Sequence, residues 1–473
     1  LQIAFQKQWG SGGAKMSELI VSISGVRGIV GESLNAEVAL KWAHAYGTYV
    51  RSLSAGNCVI AVGRDSRPSG EMIKCALVSG LLETGCDVVD LGIVPTPTLQ
   101  FYIREKSNGG VGITASHNPE QWNALKFFRP DGMYLDAGGI EELQSIVNAG
   151  SFSTAHWDEV GKLTLDETAV RMHIEAILSL LQADEIRKHK FKVAIDCVNG
   201  AGSVVAIPLL EELGCKVIPL HCELTGEFRR PPEPTPNSLI ELSEVVRKEG
   251  ADVGFGFDAD ADRVVIVLDG GTRCSEEMTL CVAVKHILSK RKGTVVTNVS
   301  TSMAVDEIAR MHGCNVIRTP VGDLNVSSKL LEVGGVIGGE GNGGVIYPPL
   351  QYARDGLLGM ALVLEFMAER DEPLSKLVSE LPQYKIIKRR VEHKRLGSPE
   401  ELKRCFEHIA CSADEVVDFD GIKFIWKSPK RWVHIRQSKT EDIIRIIAEA
   451  EDESTANALC DMAMKALLNS RGE

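Results

Sequence analysis

The chain has 473 residues and a net charge of −12 at pH 7, from 52 lysines and arginines against 64 aspartates and glutamates. That length is too great for one hydrophobic core and predicts about three or four domains. No apolar run approaches the length of a membrane span, and 12 cysteines without a Cys-x-x-Cys pair indicate neither a zinc ribbon nor a disulfide framework, but reduced small hydrophobes in a cytoplasmic protein.

Residues 1–15 lack the continuous apolar core of a signal peptide and precede Met16, which reads as the native start, with 1–15 an N-terminal extension. Beyond it one pattern occurs three times: strand, polar loop, helix, glycine stop, strand. Val59 to Val62 leads through Gly-Arg-Asp-Ser to Gly85-Cys86, Val193 to Asp196 through Asn-Gly-Ala-Gly to Gly214-Cys215, and Val295 to Asn298 through Ser-Thr-Ser to Gly313-Cys314. Each glycine suits the left-handed position after a helix, and each cysteine is predicted to enter a buried strand. Units of this kind look alike in any α/β protein, yet three copies about a hundred residues or more apart predict three comparable α/β domains.

The chemistry lies in the segments between. Val111 to Ile113 reads as the end of a buried strand, and it stops at Thr114-Ala-Ser-His-Asn-Pro119. Pro119 biases Asn118 away from helix. The resulting loop presents the Ser116 hydroxyl as a nucleophile or phosphate carrier, or as a turn serine bonded to its own backbone. Residues 258–263, Asp-Ala-Asp-Ala-Asp-Arg, join two apolar strand-like runs. Three carboxylates in a compact loop repel one another unless a cation neutralises them, and hard oxygen donors suit Mg²⁺; a solvated acidic turn is the alternative. Gly338-Gly-Glu-Gly-Asn-Gly-Gly344 surrounds Glu340 and Asn342 with glycines, as where a backbone approaches a ligand closely, and both side chains suit sugar hydroxyls.

From Leu381 the character changes to a Lys/Arg-rich strand (Tyr384 to Val391), a helix pattern from Pro399, strands at Gly421 to Trp426 and Trp432 to Arg436, and a helix-like run from Glu441. This predicts a smaller α+β domain. The basic run Lys385 to Arg395, without interleaved aromatics in an acidic chain, reads as a solvated face and not as a nucleic-acid surface. Arg436-Gln-Ser-Lys-Thr440 ahead of the helix-like run makes either a phosphate site or a helix cap by Ser438 or Thr440.

Taken in order, Thr-Ala-Ser-His-Asn-Pro at 114–119, Asp-Ala-Asp-Ala-Asp-Arg at 258–263, Gly-Glu-x-x-Gly at 339–343 and Arg-x-Ser-x-Thr at 436–440 resemble the motifs of the α-D-phosphohexomutases. This is the phosphoglucomutase, phosphomannomutase and phosphoglucosamine mutase superfamily, and the match runs from about Val21 to Thr440. Ser24-Gly-Val-Arg-Gly28 looks like its N-terminal arginine motif, and the Gly-Glu-Gly-Asn-Gly-Gly form is similar to the archaeal-type branch. The resemblance implies an α/β fold of three similar mixed α/β domains plus a smaller C-terminal α+β domain around a central cleft. Domain borders are expected to give 16–155, 156–270, 271–380 and 381–473.

It also implies roles. Ser116 would carry the phosphoryl group, and Asp258, Asp260 and Asp262 would hold Mg²⁺ with a phosphoserine oxygen as a further ligand. Arg27 and Arg263 would steady the transferring group, Lys126 would act in proton transfer, and His117 would support the loop. Glu340 and Asn342 would read the sugar, and Arg436, Ser438 and Thr440 would grip the non-reacting phosphate. The reaction implied is interconversion of hexose 6-phosphate and hexose 1-phosphate (glucosamine, glucose or mannose) through a hexose 1,6-bisphosphate that also serves as activator. A swing of the last domain would admit and trap the ligand. The cations must then form a positive cleft within an acidic body. Many relatives have Gly-Glu-x-Ser-Gly-His; here Asn342 replaces the serine and Gly344 the histidine, which moves the weight of proton transfer to Lys126. Two other readings are a Mg²⁺-dependent sugar phosphatase and a non-catalytic sugar-phosphate sensor. A small-molecule partner, no nucleic acid, no membrane, and a monomer or homodimer complete the expectation.

Overall fold

In the computed structural model of this chain, residues 19–54, 56–392, 404, 406–437 and 443–469 are described. They form four sheets in chain order. The first has seven strands, the second and third have four each, and the fourth has five. No helix among the described residues is long and apolar enough to cross a membrane.

The three repeats predicted from sequence share one plan. In the first sheet Val59–Arg64 pairs in parallel with Asp87–Ile93 on one side and Gly109–Ile113 on the other, and Gly109–Ile113 then pairs antiparallel with Trp122–Phe128. In the second, Lys192–Asp196 lies parallel between Lys216–Leu220 and Val253–Phe257, and Val253–Phe257 turns back antiparallel into Val264–Leu268. In the third, Val295–Asn298 lies parallel between Val316–Thr319 and Ile337–Glu340, and Ile337–Glu340 turns back into Gly344–Ile346. Gly85, Gly214 and Gly313 all have positive φ (79°, 73° and 68°), which removes the Cβ penalty where each helix hands over to its strand. Cys86 and Cys215 are buried as expected, whereas Cys314 is half-buried.

This plan fixes the site. The turn from the last parallel strand into the antiparallel one is the Ser116 loop in the first sheet, the Asp258–Arg263 loop in the second and the Gly341–Gly343 turn in the third. One topological position of the repeat therefore carries each motif, and the three copies bring them to the carboxyl ends of their parallel strands, where open α/β sheets present ligands.

The cores are not all separate. One apolar cluster runs from Ile174 and Val193 in the second sheet region to Ile337 and Leu381 in the third. Helix Gly356–Arg370 lies within it, buried without a break from Gly356 to Ala368, which is why its sequence is apolar all round.

The last sheet is antiparallel, in the order Lys385–Glu392, Ile443–Ala450, Lys430–Gln437, Ile422–Lys427, Glu415–Val417. Two expectations need correction here. The helix-like run from Glu441 is a strand over Ile443–Ala450, and the final helix begins only at Glu453. Four isoleucines in Ile-Ile-Arg-Ile-Ile favour the pleated, half-buried surface. The basic run is also not simply solvated: within Lys385–Glu392, Lys388 Nζ donates to Gly341 O at 3.2 Å, and Arg389 pairs with Asp461 and donates to Asn457. Residues 393–395 of that run and the start of the helix expected from Pro399 fall outside the described residues.

Candidate active site

Ser116 is buried and held at φ 49°, a conformation that costs a non-glycine residue energy and so needs support. The support comes from a buried Asp65–Arg67 ion pair. Arg67 Nη2 donates to Ser116 O (3.0 Å), Asp65 Oδ2 accepts from Thr114 Oγ1 (2.6 Å), and Thr114 Oγ1 accepts from Ser116 N (3.0 Å). His117 Nδ1 lies 3.4 Å from the serine Oγ. Arg27, on strand Gly25–Ile29, donates to Asn118 Oδ1 at 2.7 Å and so reaches the same loop.

The hydroxyl points at the acidic loop: Ser116 Oγ donates to Asp258 Oδ2 at 2.8 Å. Asp258, Asp260 and Asp262 are all buried, and one oxygen from each lies within 4.8 Å of the others. Ala261 has φ 54°, which turns the short loop round this cluster. Burial, then the charges of Asp262 and Asp260, push the Asp258 carboxyl well above its usual range. Asp260 goes the other way: burial would raise it, but Lys126, with Thr96 and Arg263, outweighs burial and holds it below its usual value. Lys126 Nζ and Thr96 Oγ1 each donate to Asp260 Oδ2 at 2.6 Å. Asp260 Oδ1 and Asp262 Oδ1 are buried with no hydrogen-bond partner among the described residues. Three converging carboxylates, two open oxygens and a neighbouring hydroxyl are a hard oxygen donor set, and they fit a divalent cation of the Mg²⁺ type.

Lys126 sits beneath the serine loop on strand Trp122–Phe128. Burial alone would lower its pKa, yet Asp260, with Tyr134 and Asp262, raises it above the ordinary lysine value. The group is therefore an ammonium. Arg263 is buried beside the triad, its Nε 3.6 Å from Asp262 Oδ1 and 4.0 Å from Asp258 Oδ2.

Glu340 ends the third parallel strand. Its Oε1 accepts from Asn298 Nδ2 (2.8 Å) and Gly322 N (3.1 Å), and its Oε2 from Arg354 Nη1 (2.8 Å). Burial would raise the Glu340 carboxyl, but Arg354, Asn298, Arg263 and the Gly322 amide together outweigh it and keep the group below its ordinary value. Asn342 is half-buried, with its Oδ1 accepting from Gly344 N at 3.1 Å. Arg436 lies on strand Lys430–Gln437 with its Nε 3.6 Å from Asp420 Oδ2, and Asp420 also accepts at 2.8 Å from the amide of Val321, next to the Gly322 that donates to Glu340. Ser438 and Thr440 fall outside the described residues. A strand follows them, so the helix N-terminus expected in that phosphate site is not part of it.

Sequence reading missed Asp65, Arg67, Thr96 and Arg354. Asp65 was seen only within the polar loop Gly-Arg-Asp-Ser of the first repeat, and Arg67 just beyond it was not singled out; a charged pair immediately after a buried strand was the available signal. Arg354 precedes the N-cap Asp355 of the buried helix, and nothing in its spacing marks it.

Fold and site together define an α/β enzyme of phosphoryl transfer, with a serine, a carboxylate triad and buried cations from separate sheets meeting at one point. Comparison with known proteins makes this specific. Three phosphoglucomutase/phosphomannomutase families match: alpha/beta/alpha domain I over residues 19–154, domain II over 171–271 and domain III over 275–384. A Thermococcus kodakarensis protein named phosphoglucomutase/phosphomannomutase is 39% identical over 94% of this chain and 97% of its own length. A Methanopyrus kandleri protein named "Probable phosphoglucosamine mutase" is 38% identical over 93% of this chain and 95% of its own. The crystal structure of a phosphoglucomutase/phosphomannomutase family protein from Burkholderia thailandensis superposes with a TM-score of 0.82 at 26% identity, covering 96% of this chain and 98% of that one. The chain belongs to the phosphoglucomutase/phosphomannomutase family of phosphohexomutases, a family of magnesium-dependent isomerases.

Proposed function

We propose that this phosphohexomutase works through phosphorylated Ser116, and that glucosamine, glucose or mannose phosphate is its substrate. The observation that carries the serine assignment is the 2.8 Å hydrogen bond from Ser116 Oγ to a carboxylate of the buried triad. In the forward half, the bond between Ser116 Oγ and phosphorus breaks as one forms to the free hydroxyl of a hexose monophosphate; the hydroxyl loses its proton and the departing Ser116 Oγ gains one. The hexose 1,6-bisphosphate turns over and returns its other phosphoryl group to Ser116. Asp258, Asp260 and Asp262 would hold Mg²⁺, which when bound supplies charge neutralisation at the phosphoryl oxygens.

The chain's own cations do the rest. Arg263 and Arg27 flank the serine loop, and neutralising the transferring group is the chief requirement of this chemistry. Lys126 rests as an ammonium, so it donates a proton to the departing Ser116 Oγ and, as the amine, takes the proton of the attacking hydroxyl, and the exchange runs the other way in the return half. His117 steadies the loop. Glu340, fixed on both oxygens, accepts from sugar hydroxyls with Asn342 beside it, and Arg436, with Ser438 and Thr440, grips the phosphate that is not reacting. Relatives with both kinds of name share this architecture, which supports a choice among glucosamine, glucose and mannose.

The test is a panel assay with Mg²⁺ and catalytic glucose 1,6-bisphosphate, comparing specificity constants for the three sugar phosphates while free phosphate is followed. Isomerisation without phosphate release is expected. Release without isomerisation would mean a phosphatase.

A further inference from the structure

Gly344 follows the sugar turn, and a Cβ built on it would lie 2.3 Å from Cδ and 2.9 Å from Cγ of Arg354. The space a side chain would take is already filled by that arginine. Its backbone does not need glycine for conformational reasons, since Gly344 is not among the positive-φ residues, so the requirement is one of room. Arg354 uses the room to reach three acidic groups on three different segments. Nη1 donates to Glu340 Oε2 at 2.8 Å in the sugar loop, Nη2 to Asp262 Oδ2 at 2.5 Å in the triad, and Nε lies 3.4 Å from Asp323 Oδ2 at the start of helix Asp323–Val333.

We propose that Arg354 is a positioning residue that couples the sugar loop to the carboxylate triad, and that Gly344 is glycine to admit it. The inference rests on the mutase reading of the site and deepens it. A planar guanidinium offers several N–H groups in a fixed fork, so one side chain can bridge two carboxylates; a lysine ammonium at the end of a flexible stem holds that geometry poorly.

Two consequences follow. On the sugar side, Arg354 donates at 2.8 Å to Glu340 Oε2, the oxygen that Asn298 and Gly322 leave to it and to a longer 3.4 Å bond from Asn342 Nδ2, so the carboxylate meets its ligand already oriented. On the metal side, it occupies Asp262 Oδ2 and leaves Oδ1 open, which sets the oxygen offered to a cation. It also places a positive charge against the triad, and that charge competes with any cation bound there. Arg354 therefore strengthens sugar binding and weakens cation binding, whereas a residue that only stabilised the fold would strengthen both.

Calorimetric titrations of the full chain separate these cases. Mg²⁺ is titrated without sugar, and glucose, mannose and glucosamine 6-phosphates are titrated without Mg²⁺ so that no turnover occurs. Arg354→Met is expected to bind Mg²⁺ about tenfold more tightly and the preferred hexose phosphate about tenfold more weakly, in the range of ordinary coupling between sites. Gly344→Ala leaves Arg354 in the chain but displaces it, and is expected to shift both affinities in the same directions. Affinities that fall together in Arg354→Met, that do not move, or that stay at wild-type values in Gly344→Ala overturn the inference. Wild-type protein that binds none of the three hexose phosphates overturns the mutase reading and this inference with it, whereas wild-type binding with unshifted variants overturns the inference alone.

Discussion

Ser116 Oγ reaches Asp258 Oδ2 across 2.8 Å although 142 residues separate the two in sequence. Both stand in the same turn of the repeated unit, one in the first sheet and one in the second, and packing of the repeats turns those equivalent loops toward each other. A phosphoryl group on the serine would there lie beside the buried cations Arg263 and Lys126 that flank the triad. Ser116→Ala should lower isomerisation by at least about a thousandfold, because it removes the hydroxyl that bonds Asp258. Hexose-phosphate binding should stay within about threefold of wild type, since Glu340 and Arg436 are untouched. Turnover and calorimetry on the same preparation check this, and surviving turnover would remove Ser116 as the phosphoryl carrier.

The strained serine depends on Arg67. Its guanidinium is paired with Asp65, donates to the carbonyls of Ser116 and Asn118, and lies 4.9 Å from the Phe228 ring centroid. Replacing it by alanine leaves the fully buried Asp65 carboxylate unpaired, and breaking a buried pair from one side costs about 3–5 kcal/mol. Arg67→Ala should show that loss in urea denaturation. A loss below about 1 kcal/mol would mean that the loop is held by other means.

The fold was largely legible in the sequence, because it is written three times in the same local grammar: Gly85, Gly214 and Gly313 mark the same helix ends, and all three adopt the left-handed conformation. The candidate site residues stood out because Ser116, the aspartates and Glu340 cluster with small neighbours. What was not legible depends on contacts between repeats. Arg354 is an ordinary arginine until Asp262, 92 residues earlier, arrives beside it. Gly344 read as the loss of a side chain, yet the structure fills that space with another one. The strand Ile443–Ala450 was misread because its central pair of isoleucines on each side of Arg445 obscures the period-2 alternation that pairing with Lys430–Gln437 reveals.

A cation should stabilise the folded chain measurably. Asp260 Oδ1 and Asp262 Oδ1 are formed and open in the folded state, whereas an unfolded chain offers no converging set. At a Mg²⁺ concentration about a hundredfold above its dissociation constant the gain is about 2.7 kcal/mol, which raises the melting temperature by several degrees. Asp260→Asn should blunt that response, and EDTA should abolish it in wild type. Equal Mg²⁺ shifts in wild type and Asp260→Asn would place the cation elsewhere.

Glu277 predicts a pH dependence that originates away from the metal loop. Its carboxyl lies directly against the Gly341–Gly343 turn, where a Cβ on Gly341 would fall 1.9 Å from it. Burial pushes its pKa from 4.5 to about 7, opposed by Lys388 at 3.6 Å and by the Ser302 amide, and reinforced by Glu449 and Glu276. The folded state therefore holds a proton that the unfolded chain has already released between pH 4.5 and about 7. Over that window stability falls as pH rises, by about 3 kcal/mol in total, and above it the full cost of the buried charge remains. Glu277→Gln keeps an acceptor for the Ser302 amide but cannot ionise, so it should be flatter through the window and more stable than wild type at about pH 8. Urea midpoints across the range decide the matter. A wild-type slope that persists in Glu277→Gln would assign the titration to another group, and a variant less stable than wild type at high pH would show that Lys388 and the ionised carboxylate hold the last sheet against the Gly341–Gly343 turn more strongly than burial opposes them.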